Sequence, residues 1–418
     1  MTVNVVFHVL VTLAAVIALG YLLGRACTAL GQPAVLGEIV AGILLGPSFL
    51  GAISPAAMHL MIPPAEVDVH EQVPTALKAI SQLGIIFYMF LVGLRLNAAS
   101  LKKTAKTAVA VTIARFALPF AFGVPLAYWL FPIVGSADIS FVNFTLFFCT
   151  ALSVTAFPVL ARILAEQKLD QTPLGILALG CAAADDLIAW CMLAFIVGIS
   201  QSNVSGAAVT VILAVGFIVI LTVVVRPFVQ RLAHAVDTVT GPLPAFAIPL
   251  VLVLVLLSAL ATEWIGIHAV FGAFLLGVIL PHEGRLVTEI SRRLEDVVSI
   301  LLLPAFFALT GLRTEIGLIS GWQNGLICLA IIITATLGTC GGAILAGKLT
   351  GLNWRESATL GVMMNTRGLM ALIVLEIGRR SGIISPTLYA MMVLMALATT
   401  IATAPCLKWL KHNPNPNS

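Results

Sequence analysis

The sequence predicts an all-α polytopic membrane protein of about thirteen transmembrane helices, arranged as two six-helix repeats of inverted topology. Three observations carry this reading. Of 418 residues, 60% are hydrophobic and only 10% are charged, where a soluble domain carries roughly 25% charged residues. The mean hydropathy is +1.10. The apolar residues also gather into successive runs of about 20, the length that crosses a hydrocarbon core. Twenty-two Lys and Arg with eighteen Asp and Glu are too few to coat a soluble globule of this size. A soluble enzyme, a disordered chain and a nucleic-acid binder are thereby excluded.

Along the chain, spans are expected near 3–24, 33–50, 79–96, 108–131, 141–164, 173–199, 205–228, 244–262, 265–281, 298–312, 321–347, 356–378 and 386–407. The first lacks a basic leader and a small-residue cleavage site, so it reads as a span and not a signal peptide. Orientation follows from the basic residues. Sixteen, from Arg25 and Arg95 to Lys408 and Lys411, fall at one set of ends; four, Lys78, Arg313, Arg379 and Arg380, fall at the other. This bias puts the N-terminus outside and the C-terminus in the cytoplasm. Two more, Arg115 and Arg367, fall within spans. Because thirteen is odd, a single span between spans 1–6 and 8–13 inverts the second unit, a common transporter plan.

The connections are short. The one over 51–78 holds Glu66, Asp68, His70 and Glu71 and is expected outside, while 281–297 has a helical period and is expected as an interfacial cytoplasmic helix. The tail over 412–418 is too short for a regulatory domain. Seven cysteines lie in or beside apolar runs without a CxxC pair and read as small buried hydrophobes.

Four carboxylates fall inside spans: Glu38, Asp185, Asp186 and, nearer an end, Glu376. Two adjacent aspartates would cost about 5–7 kcal/mol if both were ionised and unpaired at mid-bilayer, so a function is expected to hold them there. Neighbours on a helix diverge by about 100°. One should therefore face an aqueous cavity and the other a partner or a second wall of the site. The pair titrates as a coupled unit. Protonated it is neutral; ionised it invites a small hard cation that prefers oxygen ligands.

The preceding span contains Pro158, which removes its own backbone bond and crowds the Val154 carbonyl. Ser153 and Thr155 sit beside that break with hydroxyls that can supply oxygens. Broken helices are tolerated in lipid where they line a cavity or pack in protein. Span 12 has its own interruption at Asn365, Thr366, Arg367 and Gly368. Each break is in the fifth span of its six, and paired interruptions at corresponding positions point to a transporter site. Arg367 can offset negative charge near the aspartates or clamp helix ends. Among weaker signals, Glu38 reads as a helix-packing partner and His268 as a satisfied interior histidine. Gly42 and Gly46 form a small-residue face. The run ending Gly347, Lys348, Leu349 mimics a phosphate loop by chance, since Leu349 replaces the required Ser or Thr.

The segments AVLGEIVAGILLGP, ALSVTAFPVLARILAE, AAADDLIAW, IHAVFGAFLLG, LLLPAFFALTGLRTEI and MMNTRGLMALIVLEIG occur in an order that resembles the cation:proton antiporter superfamily. The branch they most resemble is the monovalent cation:proton antiporter-2 group, near bacterial Na+/H+ antiporters and plant cation/H+ exchangers. The likeness runs from about 33 to 400. It implies crossing broken helices at spans 5 and 12, and a homodimer of scaffold helices (about 3–96 and 205–312) and core helices (about 108–199 and 321–407) within one membrane domain over 1–411.

The resemblance makes Asp186 the essential cation and proton group and Asp185 the aspartate of electrogenic members, implying two protons per cation. Electrogenic prototypes pair that aspartate with a lysine in span 11, where this chain has Thr339, so Asp185 lacks an evident cationic partner. The chain also lacks the long tail of plant exchangers and of glutathione-gated potassium efflux proteins, which points to a bacterial inner membrane. The implied activity is exchange of Na+ (or K+, Li+) for H+ by alternating access, with no cofactor, no enzymatic step and no nucleic-acid partner. Asp186 would hold either cation or proton; Ser153 and Thr155 would complete the oxygen shell; Pro158, Asn365, Arg367 and Thr339 would support it. A channel would need repeated oxygen rings, an organic-solute symporter a larger polar cavity, and an intramembrane protease aspartates on separate helices.

Overall fold

The computed structural model describes residues 4–47, 49–64, 71–96, 105–135, 139–200, 204–238, 243–281, 284–312 and 321–412, and the regular structure among them is helical. Glu66, Asp68, His70, Lys102, Lys103, Arg313 and the tail beyond His412 lie outside the described residues. In order the helices are α1 (Val5–Ala29), α2 (Ala34–Leu45), the short α3 (Leu50–Ile53) and α4 (Pro55–Met61), α5 (Gln72–Arg95), α6 (Ala105–Val134), α7 (Phe141–Ser153), α8 (Phe157–Glu166), α9 (Pro173–Ser200) and α10 (Val204–Ile220). They continue as α11 (Arg226–Thr238), α12 (Ala247–Ile265), α13 (Ala269–Ile279), α14 (Arg285–Val297), α15 (Leu303–Leu312), α16 (Trp322–Leu349), α17 (Trp354–Met364), α18 (Leu369–Arg380) and α19 (Pro386–His412).

Ten of the expected spans are helical runs long and apolar enough to cross a membrane among the described residues. The other three take different forms: the short α13, the short α15 and the interrupted pair α17–α18. Two π segments, Leu221–Val225 and Val298–Leu302, join α10 to α11 and α14 to α15. Each is followed within two residues by a proline, Pro227 or Pro304. A proline ring crowds the carbonyl four residues back, and a wider π turn relieves the clash without ending the helix. Span 7 thus runs on to Thr238 instead of ending near 228, and the helix expected over 281–297 continues unbroken into span 10. Cys149, Cys181 and Cys328 are buried as expected, whereas Cys406 is exposed.

The chain divides into two units. One comprises Met1–Leu96, Gly216–Trp264 and His268–Glu315. Within it α2 packs on α1 and α15, and α13 packs on α5. In the α2–α15 and α13–α5 pairs the second span of one half lies on the third span of the other, the pattern expected of an inverted-repeat plan. Without a hydrophobic force between helices in lipid, close backbone approach and dispersion hold such pairs. Gly42 accordingly abuts the Ala308 carbonyl, leaving no room for a Cβ. Gly46 meets the Leu312 carbonyl, 3.1 Å from where a Cβ would stand.

The other unit comprises Asn97–Val215, Ile265–Ile267 and Ile316–Ser418. Its α6 and α16, the fourth spans of the two halves, pack along each other. Gly338 and Gly342, one turn apart on α16, lie against Pro119 and the Ala114–Arg115 backbone of α6. That approach sets the middle of α6, and with it Arg115, inside the unit. Buried Phe144, Phe147 and Phe148 of α7 build the adjoining core.

Candidate ion-binding site

Two interrupted helices meet at their breaks in the second unit. Chain α7 ends at Ser153 and α8 starts at Phe157; α17 ends at Met364 and α18 starts at Leu369. As the second residue of α8, Pro158 loses a backbone N–H that would have had no partner there. At the second break Gly368 lies against Val159 and Ala156, where a Cβ would collide. The Ala156 N–H donates to the Thr366 carbonyl at 3.0 Å. The breaks therefore cross in direct contact.

The last carbonyls of an α-helix lack partners within it and carry the negative end of its dipole. Two buried arginines meet them here. Arg367 Nη1 donates to the carbonyls of Ala151 at 3.1 Å and Val154 at 3.3 Å, and its Nη2 donates to that of Leu152. Arg115 Nη2 donates to the carbonyls of Ser153 at 3.3 Å and Met364 at 3.0 Å, and to Thr155 Oγ1. Four consecutive carbonyls, 151–154, are thus bound by guanidinium groups. Of the two roles open to Arg367 in the sequence, its contacts here are those of a helix-end clamp.

Asp185, on α9, forms an ion pair with Arg115 in which both side chains are 0% exposed. Its Oδ2 lies 3.5 Å from Thr155 Oγ1, whose hydroxyl donates to the Met364 carbonyl at 3.1 Å. Asp186 is also buried, and its Oδ1 has no hydrogen-bond partner among the described residues. Leaving a buried carboxylate oxygen bare is costly; a proton or a metal cation removes that cost. Asp185 Oδ1 is likewise without a hydrogen-bond partner, so the two carboxylates differ in that Asp185 is ion-paired through its Oδ2 and Asp186 has no ion pair among the described residues.

The other expected residues divide. Thr155 joins Asp185 and Arg115. The Ser153 hydroxyl donates back to the Cys149 carbonyl at 2.8 Å, so Ser153 meets Arg115 through its backbone. Thr339 Oγ1 lies 2.9 Å from Asn365 Oδ1, forming a polar contact from α16 to the second break. The missing cationic partner of Asp185 is Arg115, from α6 and not from span 11. The available signal was its charge in the middle of an apolar run; which carboxylate it meets depends on the α6–α16 packing.

Outside this cluster, Glu38 is buried on α2 beside Gly20. His268, at a left-handed φ of +71°, caps α13 by accepting from the Val270 N–H at 3.4 Å. Glu376 pairs with Arg379 at 2.8 Å and is partly exposed. It does not lie deep, because α18 begins only at Leu369 and places Glu376 in the final turns of that helix.

Residues 13–410 match the family described as the transmembrane sodium/hydrogen exchanger. The chain is 39% identical over 407 residues to the Na(+)/H(+) antiporter NhaS4 of Synechocystis, covering 97% of each chain. It is 38% identical over 378 residues to cation/H(+) antiporter 19 of Arabidopsis thaliana, covering 90% of this chain and 46% of that one, so it spans about half the length of the plant relative. The fold is similar to that of the sodium proton antiporter MjNhaP1 of Methanocaldococcus jannaschii, with a TM-score of 0.68 at 14% identity and 97% of each chain covered.

Proposed function

The chain belongs to the sodium/hydrogen exchanger family, and on that premise we propose how its parts carry out exchange. The protein is a secondary transporter that swaps a monovalent cation for protons across a membrane; it is not an enzyme. Asp186 is the group that holds either the cation or a proton, and that competition couples the two fluxes. One observation carries this assignment: beside the crossing of two broken helices lies a buried carboxyl pair in which Asp185 is ion-paired to Arg115 and Asp186 has no ion pair among the described residues. Thr155 adds an oxygen near the pair, and Ser153 contributes through its carbonyl. Pro158 and Gly368 keep the breaks open, while Arg367, Asn365 and Thr339 hold them in register.

Na+ is the proposed cation, supported by the name of the cyanobacterial relative, with Li+ and K+ as alternatives. The unit around α6–α9 and α16–α19 is the ion-carrying core, and the unit around α1–α5 and α11–α15 is the scaffold through which the protein forms a homodimer. The basic-residue bias supports a cytoplasmic C-terminus. The purified protein in proteoliposomes with an imposed pH gradient tests the activity. Added Na+, Li+ or K+ should collapse the gradient, and cation flux that persists without proton movement would instead mark a channel.

A further inference from the structure

We infer that Arg115 tunes the ion site to a monovalent cation, by cancelling one of two adjacent carboxylates that together would suit a divalent ion. This rests on Asp186 being the exchange group. Asp185 and Asp186 are neighbours on α9, both buried, with Thr155 Oγ1 3.5 Å from Asp185. Two carboxylates with hydroxyl and carbonyl oxygens nearby form the hard oxygen set that Ca2+ favours. Arg115 changes that set in two ways. Its guanidinium keeps its charge across the working pH range, and its ion pair with Asp185 is shielded from water, since neither side chain is exposed. Its remaining bonds, to the carbonyls of Ser153 and Met364 and to Thr155, anchor it to both helix breaks, so it cannot leave the carboxylate without unclamping the crossing. Arg367, the other buried arginine among the described residues, is spent on the carbonyls of 151, 152 and 154 and does not take this role. What remains for a ligand is the carboxylate of Asp186, which has no ion-pair partner among the described residues, beside the one oxygen of Asp185, Oδ1, that Arg115 leaves unbonded.

The charge assignment is tested by a double-mutant cycle read by ligand-induced thermal stabilisation of the purified protein. Asp185→Asn leaves Arg115 opposing Asp186 and should weaken Na+ binding by between about fivefold and a thousandfold, the range set by a unit charge about 4 Å away as the effective dielectric varies. Adding Arg115→Gln to Asp185→Asn removes the opposing charge and should recover most of that loss. Arg115→Gln alone, which exposes both carboxylates, should bind Ca2+ at least tenfold more tightly than wild type, and Arg115→Lys should not. If the double variant binds Na+ no better than Asp185→Asn, Arg115 is only a structural clamp and the inference is overturned; a folded Arg115→Gln protein without Ca2+ gain overturns it as well. If wild type shows no stabilisation by Na+, Li+ or K+, the failure lies with the proposed function and not with Arg115.

Discussion

Replacing Arg367 with alanine should loosen the helix crossing. The guanidinium donates to three carbonyls at the end of α7, those of Ala151, Leu152 and Val154, and it is 1% exposed. A buried acceptor left without its donor costs about 1–3 kcal/mol. With partial relaxation of the α7 end, the three together amount to roughly 3–6 kcal/mol. At about 2.1 cal/mol/K of unfolding entropy per residue, 418 residues convert this to a fall of about 3–7 °C in the melting midpoint. The assay is thermal unfolding in detergent, with Arg367→Lys alongside. Lysine keeps the charge but not the fork, and an ammonium on a flexible stem cannot meet all three carbonyls at once, so it should recover less than half of the loss. A midpoint for Arg367→Ala within 1 °C of wild type would refute the clamp, and full recovery by lysine would show that charge alone matters.

Three further outcomes follow from the same geometry. Gly342→Val places a Cβ within 2.7 Å of the Ala114 carbonyl oxygen; overpacking of this kind costs about 1–3 kcal/mol, and the shift of α6 should lower transport with stability, both measured on the reconstituted protein. Thr155→Val removes the hydroxyl that joins Arg115, Asp185 and the Met364 carbonyl, costing about 1–3 kcal/mol and raising the cation concentration for half-maximal transport. Ser153→Ala should change that concentration by less than about threefold, since a hydroxyl bonded back to its own helix contributes little.

The spans, the two breaks and the aspartate pair were legible in the sequence because each is a violation of a simple rule. Apolar runs about 20 residues long have one use, a proline at 158 cannot sit inside a regular helix, and charge inside an apolar run stands out. What the sequence withheld depends on long-range packing. Arg115 was visible as a charge in a span, yet its partner is set by Gly338 and Gly342 drawing α16 against α6, a contact spanning more than 200 positions. Arg367 was legible as either a charge balance or a clamp; only the crossing of α7 and α17 separates the two. The apolar run of span 7 ends near 228, whereas the helix carries on to Thr238 because a wider turn absorbs Pro227.

The central claim is that Asp186 is where cation and proton compete. The direct measurement is Na+-driven dissipation of an imposed pH gradient in proteoliposomes, wild type beside Asp186→Asn, with the variant's fold checked by its elution profile and melting midpoint. Wild type should collapse the gradient, and the folded Asp186→Asn protein should move neither Na+ nor protons. A folded Asp186→Asn protein that still exchanges Na+ for protons at a rate near wild type would contradict the account, because the exchange would then run through another group.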